Sequence, residues 1–271
     1  MNLMSVDLSD KHFSKISEIV HRSCGINLKP GKEALVRSRL MKRLRTYKIN
    51  SVQEYLDYIE SSDGRHELAL FIDAMTTNKT SFFRESEHFN YLRDHVLPGL
   101  KSHRLRFWSA ACSSGEEPYT LAIWLREHMP GIENKDALIL ATDISKRMLE
   151  KAHLAVYPAE TLKDLPSPQF KKYFNPLKGQ YAGSYRITDE VRKMVRLAWL
   201  NLLESWPMKG PFNVIFCRNV MIYFDRPTQQ RLINRFWELL EPGGFLFVGH
   251  SEGLSAINHK FRYMRPATYR K

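Results

Sequence analysis

Beyond the segment TTNKTSFFRESEHF, which ends at Phe89, short β-prone runs alternate with amphipathic helical stretches, and that alternation restricts what the rest of the chain can become. Strands alternating with helical patterns of this length form a mostly parallel sheet covered by helices on both faces. The expected strands are Leu105–Ala110, Ala137–Thr142, Val195–Asn201, Phe212–Cys217 and Phe245–Gly249, with a last one near Phe261–Tyr269. Helices are expected at Pro118–Met129, Ser145–Val156 and Thr228–Leu240, the last closed by the EPGG turn. The predicted class is therefore α/β, a doubly wound and mostly parallel sheet.

Two regions depart from the alternation. The first, residues 1–76, reads as a small all-helical N-terminal domain. Phe13, Ile16, Ile19 and Val20 mark one apolar face that ends near Gly25. Ser51 and Glu54 form a capping-box pattern, and Leu68, Phe71, Ile72 and Met75 keep helical spacing. The second is the interval 158–190, where Pro and Gly signals surround short β-prone pieces, predicting an inserted β-subdomain or, failing that, a long irregular loop. Residues 77–89 then form a linker that contacts the cofactor, and 90–271 the sheet domain.

A chain of 271 residues with 43% hydrophobic content can bury a large core. No apolar run approaches the roughly 20 residues of a membrane span, and the start MNLMSVDLSDKHFSK lacks an export-signal layout, so the expected location is cytoplasmic, without membrane insertion. Cys24, Cys112 and Cys217 are far apart, with neither CxxC nor Cys/His ligand spacing, which predicts buried thiols and no metal. The net charge of +12 predicts attraction to nucleic acid, an anionic membrane surface or an acidic protein, without choosing among them. Part of that charge lies on EALVRSRLMKRLRTYK, where Leu35, Val36, Leu40 and Leu44 supply a core stripe. Arg37, Arg39, Lys42, Arg43 and Arg45 crowd the remaining surface as either a solvated face or a docking surface for an acidic partner.

In open α/β sheets ligands lie beyond the carboxyl ends of the strands. The first such turn, AACSSGEEP, has small side chains that admit a ligand to the backbone but no three-glycine dinucleotide fingerprint. Glu116 and Glu117 would repel a pyrophosphate and attract an ammonium group, or simply complement the helix dipole. Asp143 is placed to accept from ribose hydroxyls or to cap a helix, and Asn201-Leu202 suits an adenine edge and face. These features together predict S-adenosylmethionine as cofactor. The fourth strand is followed by FCRNVMIYFD rather than DPPY or NPPY, which disfavours nucleic-acid N-methylation. Phe216 before Cys217 disfavours covalent pyrimidine chemistry.

Five motifs in order, NKTSFFRESEHF, WSAACSSGEEPY, ATDIS, FCRNVMIYF and GHSE, closely resemble the chemotaxis receptor glutamate methyltransferases, the CheR family, and the likeness covers almost the whole chain. The resemblance implies a class I S-adenosylmethionine methyltransferase fold and methyl transfer to glutamates on the cytoplasmic helices of methyl-accepting chemoreceptors, with S-adenosylhomocysteine as product. It implies that Asn78, Thr80, Arg84, Glu117, Asp143, Asn201, Leu202, Arg218 and Asn219 hold the cofactor, and that Arg84 and Tyr223 act at the methyl acceptor. Arg84 serves either the acceptor or the cofactor's own carboxylate. In some members the β-insertion clasps a receptor C-terminal peptide. On this reading Arg37, Arg39, Lys42, Arg43 and Arg45 meet acidic receptor helices, and the protein is a monomer that binds no nucleic acid and no metal. A glutamate with an ordinary pKa of about 4.3 is already ionised at neutral pH, so no general base is required.

Overall fold

The structure is a computed structural model and describes residues 8–163, 165 and 167–271. The chain divides into two compact units. One runs to Thr77 and takes in Tyr223–Thr228, and the other comprises Asn78–Ile222 and Gln229–Lys271. Among the described residues, no helix is long and apolar enough to cross a membrane.

The first unit holds four helices, α1 (Asp10–Cys24), α2 (Glu33–Tyr47), α3 (Val52–Glu60) and α4 (Arg65–Met75). Each boundary has a local cause. The Ser9 hydroxyl accepts the His12 N–H, Gly25 ends α1 at φ 74°, and the Ser51 hydroxyl accepts the Glu54 N–H at the start of α3. Ile16, Ile19, Leu40, Leu44, Tyr55 and Phe71 bury their side chains together. Leu35, expected in the α2 core stripe, is instead 40% exposed. It precedes Val36 by one residue, about 100° round the helix, and only Val36, Leu40 and Leu44 share the inward face.

One buried carboxylate ties three of these helices. Glu67 on α4 is fully buried and accepts from Arg43 Nε of α2 at 2.8 Å and from Arg43 Nη2. It also accepts from the Tyr55 hydroxyl of α3. Arg39 is similarly engaged, donating to the Met75 carbonyl at 2.6 Å and to the Thr77 hydroxyl at 3.1 Å. Of the five basic residues expected to face a partner, Arg37, Lys42 and Arg45 are the exposed ones, because Arg39 and Arg43 turn inward to satisfy buried acceptors.

The second unit is built on a seven-stranded sheet of β1 (Arg104–Ala110), β2 (Asp136–Asp143), β6 (Val195–Trp199), β7 (Phe212–Cys217), β8 (Leu240–Val248), β9 (Arg262–Arg265) and β10 (Thr268–Arg270). Its order is β6-β2-β1-β7-β8-β10-β9, with the first five strands parallel and β10 antiparallel to both neighbours. The helices are α5 (Glu87–Tyr91), α6 (Glu116–His128), α7 (Lys146–Leu154), α8 (Ser167–Tyr173), α9 (Asp189–Arg192) and α10 (Arg226–Leu239). Alternation along the strands sorts the aromatic core. Phe216 stacks with Phe89 of α5 and with Phe247 on one face, while Trp108 packs against Phe236 of α10 on the other.

The interrupted region forms a separate antiparallel sheet of order β3-β5-β4, with β3 (Val156–Pro158), β4 (Phe174–Pro176) and β5 (Ser184–Ile187). GQYAG forms the connection from β4 to β5 and leaves Tyr181 exposed.

Two local expectations are corrected. EPGG follows the end of α10 at Leu239, as expected of a helix stop, but the strand starts earlier than Phe245. Strand β8 already begins at Leu240, and its register against β7 shifts between Phe212 and Val214, so EPGG is accommodated as a bulge. The single strand expected near Phe261–Tyr269 is a hairpin, β9 and β10. Pro266 sets the turn and Ala267 takes φ 59°, conditions that a continuous strand does not meet.

Replacing Glu67 by Ala leaves the Arg43 guanidinium without its partner in a partly buried setting. The expected loss is about 3–5 kcal/mol of stability, checked by urea unfolding followed by circular dichroism.

Candidate functional site

Because β2 and β6 lie to one side of β1 while β7 and β8 lie to the other, the winding reverses between β1 and β7, and the carboxyl ends of these two strands are where an open sheet forms its ligand crevice. The strands end level with one another: Ala110 is in register with Thr142 on β2 and with Cys217 on β7.

The turn after β1 is wound tightly. Ala111, Ser113 and Gly115 all have positive φ, at 66°, 50° and 97°. At Gly115 a Cβ would come within 2.9 Å of the Ala152 Cβ and 3.0 Å of the Tyr157 hydroxyl oxygen, so no other residue fits without displacing its neighbours. For Ala111 and Ser113 the left-handed region is costly, and it is held by bonds to the adjacent strand. Cys112 N–H donates to the Thr142 carbonyl at 2.9 Å, and Ser113 N–H donates to Asp143 Oδ2 at 2.8 Å. Asp143 Oδ1 accepts from Ser145 N–H at 2.8 Å. The carboxylate after β2 is thus aimed by backbone donors on both sides. Next to it, Leu200 N–H donates to the Asp143 carbonyl, which joins the turn after β6 to the same level. In that turn Asn201 Oδ1 accepts from Leu203 N–H at 3.1 Å, and the Leu202 carbonyl accepts from Arg235.

At the switch point itself Arg218, with 1% of its side chain exposed, lies between two carboxylates. Its Nη1 donates to Glu117 Oε2 and its Nη2 to Glu85 Oε2, both at 3.1 Å. Nη2 also donates to the Arg84 carbonyl. Burial pushes Glu117 above the usual carboxylate range, which Arg218 and a 2.6 Å bond from the Ser109 hydroxyl offset only in part. Glu85 is also raised by burial, but Arg218 and Asn219 outweigh that and hold it below the ordinary range. Glu116 turns away to the Ser114 hydroxyl, so of the two adjacent glutamates only Glu117 reaches Arg218.

Asn219 takes φ 59° and donates its side-chain amide to Glu85 Oε1 at 3.1 Å. Its backbone N–H is fixed by Glu252, a buried carboxylate whose Oε2 accepts from Asn219 N–H and Gly249 N–H, both at 2.6 Å. Glu252 Oε1 accepts from Ile222 N–H at 3.1 Å. Gly249 is required here because a Cβ would meet Asn219 Nδ2 and Glu252 Oε2 at 2.6 Å.

Glu117, Arg218, Asn219 and the loop bearing Arg84 therefore form one hydrogen-bonded network. Asn78 joins its edge, its carbonyl accepting from the Ser113 hydroxyl at 3.1 Å. Thr80 is half-buried on the same loop, and Arg84 donates Nη1 to the Lys79 carbonyl at 2.8 Å. Tyr223 groups with the helical unit, where its carbonyl accepts from Asn27 N–H at 2.7 Å. Sequence reasoning assigned no role to Glu85, Glu252, Ser109, His88 or His250. Glu85 and Glu252 lie inside motifs quoted for the resemblance, but nothing in their spacing shows that each closes a bond across the sheet. All three cysteines are buried, with Cys112 and Cys217 raised well above the ordinary thiol range and Cys24 pushed up to about 11 by burial.

Comparison with known proteins adds the following. Residues 11–76 match the family described as CheR methyltransferase, all-alpha domain, and residues 78–270 match CheR methyltransferase, SAM binding domain. The chain is 44% identical to the chemotaxis protein methyltransferase of Klebsiella aerogenes over 96% of its own length and 89% of that protein's. It is 43% identical to chemotaxis protein methyltransferase 2 of Pseudomonas aeruginosa, covering 95% and 91%. With the Escherichia coli chemotaxis protein methyltransferase it shares 41% identity, covering 97% and 91%.

Replacing Arg218 by Met removes the charge between two buried carboxylates and is expected to cost about 3–5 kcal/mol in urea unfolding. Glu117→Gln in that background should restore part of the loss. Strictly additive effects of the two substitutions would show that the pair does not interact.

Proposed function

The chain belongs to the CheR methyltransferase family, and from that premise we propose that it transfers a methyl group from S-adenosylmethionine to glutamate side chains of chemoreceptor helices, giving methyl esters. S-adenosylmethionine is the cofactor of this family's larger domain, and the groups at the strand ends suit it. Its amino and ribose donors call for acceptors, which Glu117 and Asp143 provide. Its carboxylate calls for a donor, and Arg218 Nε is buried with no partner among the described residues. The proposed binding set is Asn78, Thr80, Arg84, Glu117, Asp143, Asn201, Leu202, Arg218 and Asn219. When bound, the cofactor supplies an electrophilic methyl group on a sulfonium centre.

The observation that carries the acceptor assignment is the kind of group the site offers. Its carboxylates are tied by hydrogen bonds to backbone amides, hydroxyls or Arg218, and its thiols are buried and protonated. These groups orient and neutralise; none is poised to take a proton from an acceptor. An acceptor that is already an anion at neutral pH, as a glutamate is, needs only placement. Placement is the larger effect in any case, since orienting two reactants can remove roughly 7–11 kcal/mol of a barrier at its upper range. Arg84 and Tyr223 are the residues we assign to the acceptor, the first as counter-charge and the second as hydrogen-bond donor. Arg84 is half-buried and held to a single backbone carbonyl, a setting that leaves the guanidinium adjustable.

The exposed cations of α2, Arg37, Lys42 and Arg45, extend the same reading to receptor docking. Receptor helices bearing clustered glutamates present the opposite charge, and surface charges of this kind act mainly on encounter rate and orientation.

Incubation with methyl-labelled S-adenosylmethionine and receptor-containing membranes is expected to yield alkali-labile methyl groups on receptor, and an alkali-stable product would overturn the glutamate assignment. Tyr223→Phe should lower the rate with S-adenosylhomocysteine affinity retained. Reversing Arg37, Lys42 and Arg45 to Glu should weaken turnover of receptor in a salt-sensitive way while calorimetric affinity for S-adenosylhomocysteine stays unchanged. An unaltered turnover rate would rule out the docking role.

A further inference from the structure

Beside the cofactor crevice, three side chains from two distant parts of the catalytic unit converge. Glu85 lies just before α5, His88 lies on α5, and His250 follows β8; their ligand atoms all fall within 4.8 Å of one another. His88 is 1% exposed, and neither of its ring nitrogens has a hydrogen-bond partner among the described residues. Leaving a buried polar atom unpaired is costly, and a metal ion would partner one of these two nitrogens.

We propose that Glu85, His88 and His250 form a binding site for a borderline divalent transition metal of the zinc class. One edge of the site suits a tetrahedral ion. His88 Nδ1 and Glu85 Oε2 are 3.5 Å apart, too long for a hydrogen bond but close to the roughly 3.3 Å edge of a tetrahedron with bonds of about 2.0–2.1 Å. His250 packs edge-on to His88 with ring centroids 4.9 Å apart, and it is exposed, which gives the ion a path from solvent. Two imidazoles and one carboxylate leave a fourth position to water, the pattern of an open zinc site.

Such a site communicates with the cofactor crevice because Glu85 is shared. Its Oε2 accepts from Arg218 and its Oε1 from Asn219, so a dication that takes Oε2 withdraws charge from Arg218 and repels the guanidinium. Metal binding and cofactor binding are therefore antagonistic, and linkage requires each to weaken the other by the same factor. This second half rests on the proposed cofactor role of Arg218; the metal site itself does not.

The test uses the full chain with Co2+ as a spectroscopic probe and Zn2+ as the ion. Titration should produce one equivalent of a tetrahedral cobalt absorption band, displaced by Zn2+, and His250→Ala, at an exposed position, should abolish it without loss of folding. Equal cobalt binding by wild type and His250→Ala would overturn the site. Calorimetry should then show S-adenosylhomocysteine affinity lowered in the presence of Zn2+, within the 5- to 150-fold range of typical coupling, and insensitive to Zn2+ in His250→Ala. Cobalt binding with no change in cofactor affinity would overturn the antagonism and leave the site standing. Failure of S-adenosylhomocysteine to bind in any condition would count against the cofactor assignment alone.

Discussion

A guanidinium cannot be removed from water without compensation, and Arg218 is almost wholly removed. Its partners come from separate places in the chain: Glu117 from the first turn of α6, Glu85 and the Arg84 carbonyl from the segment ahead of the sheet. Each of these segments is fixed only when the others are in place. The segment 78–89 therefore behaves as part of the catalytic unit and not as a tether. Phe82 adds to the same effect by packing edge-on against Tyr157 and Phe174 of the inserted sheet, and Phe83 N–H donates to the Thr120 hydroxyl of α6. One buried ion triad thus sets the geometry of a crevice whose walls are otherwise loops.

The same logic accounts for the backbone. Five non-glycine residues around the crevice, Phe83, Glu85, Ala111, Ser113 and Asn219, adopt positive φ. Such conformations persist only where the surroundings overdetermine them, and here buried carboxylates supply part of the constraint. Asp143 holds Ser113, Glu252 holds Asn219, and Glu85 holds the Asn219 side chain. Burial pushes Glu252 above its ordinary range, and the amides of Asn219, Gly249, Ile222 and Met221 offset this in part. A carboxylate that receives several backbone N–H groups is a rigid cap for a loop, and it cannot also serve as a ready base.

The architecture was legible because it is written in periodicity. A central parallel strand buried on both faces is a nearly continuous apolar run, and FNVIFC, interrupted by Asn213, is fully buried in the structure. What failed locally were features decided by a neighbour. EPGG does stop α10 at Leu239, but pairing with β7 also draws it into a bulge of β8, so the strand starts at Leu240 and not at Phe245. Arg39 and Arg43 sit in a run of cations that reads as surface until the buried Glu67 and the Met75 and Thr77 acceptors appear. The candidate residues Glu117, Asp143 and Asn201 could be named because each lies at or in the turn beyond the end of a recognisable strand. Glu85, His88 and His250 could not, since their meeting depends on how α5 lies against the end of β8, which no local spacing encodes.

The two arginines of the crevice illustrate a division that the proposed chemistry demands. Methyl transfer converts an anionic acceptor into a neutral ester, so the group that orients the acceptor loses its counter-charge in the same event. A pairing as deeply buried as Arg218 with Glu117 would resist that loss, because breaking it strands a charge away from water. Arg84, half-exposed and bound to one carbonyl, has water at hand when its partner is neutralised. The buried arginine is suited to holding the walls and the exposed one to a partner that must leave, and exchanging their environments would give a tighter complex and slower release of product.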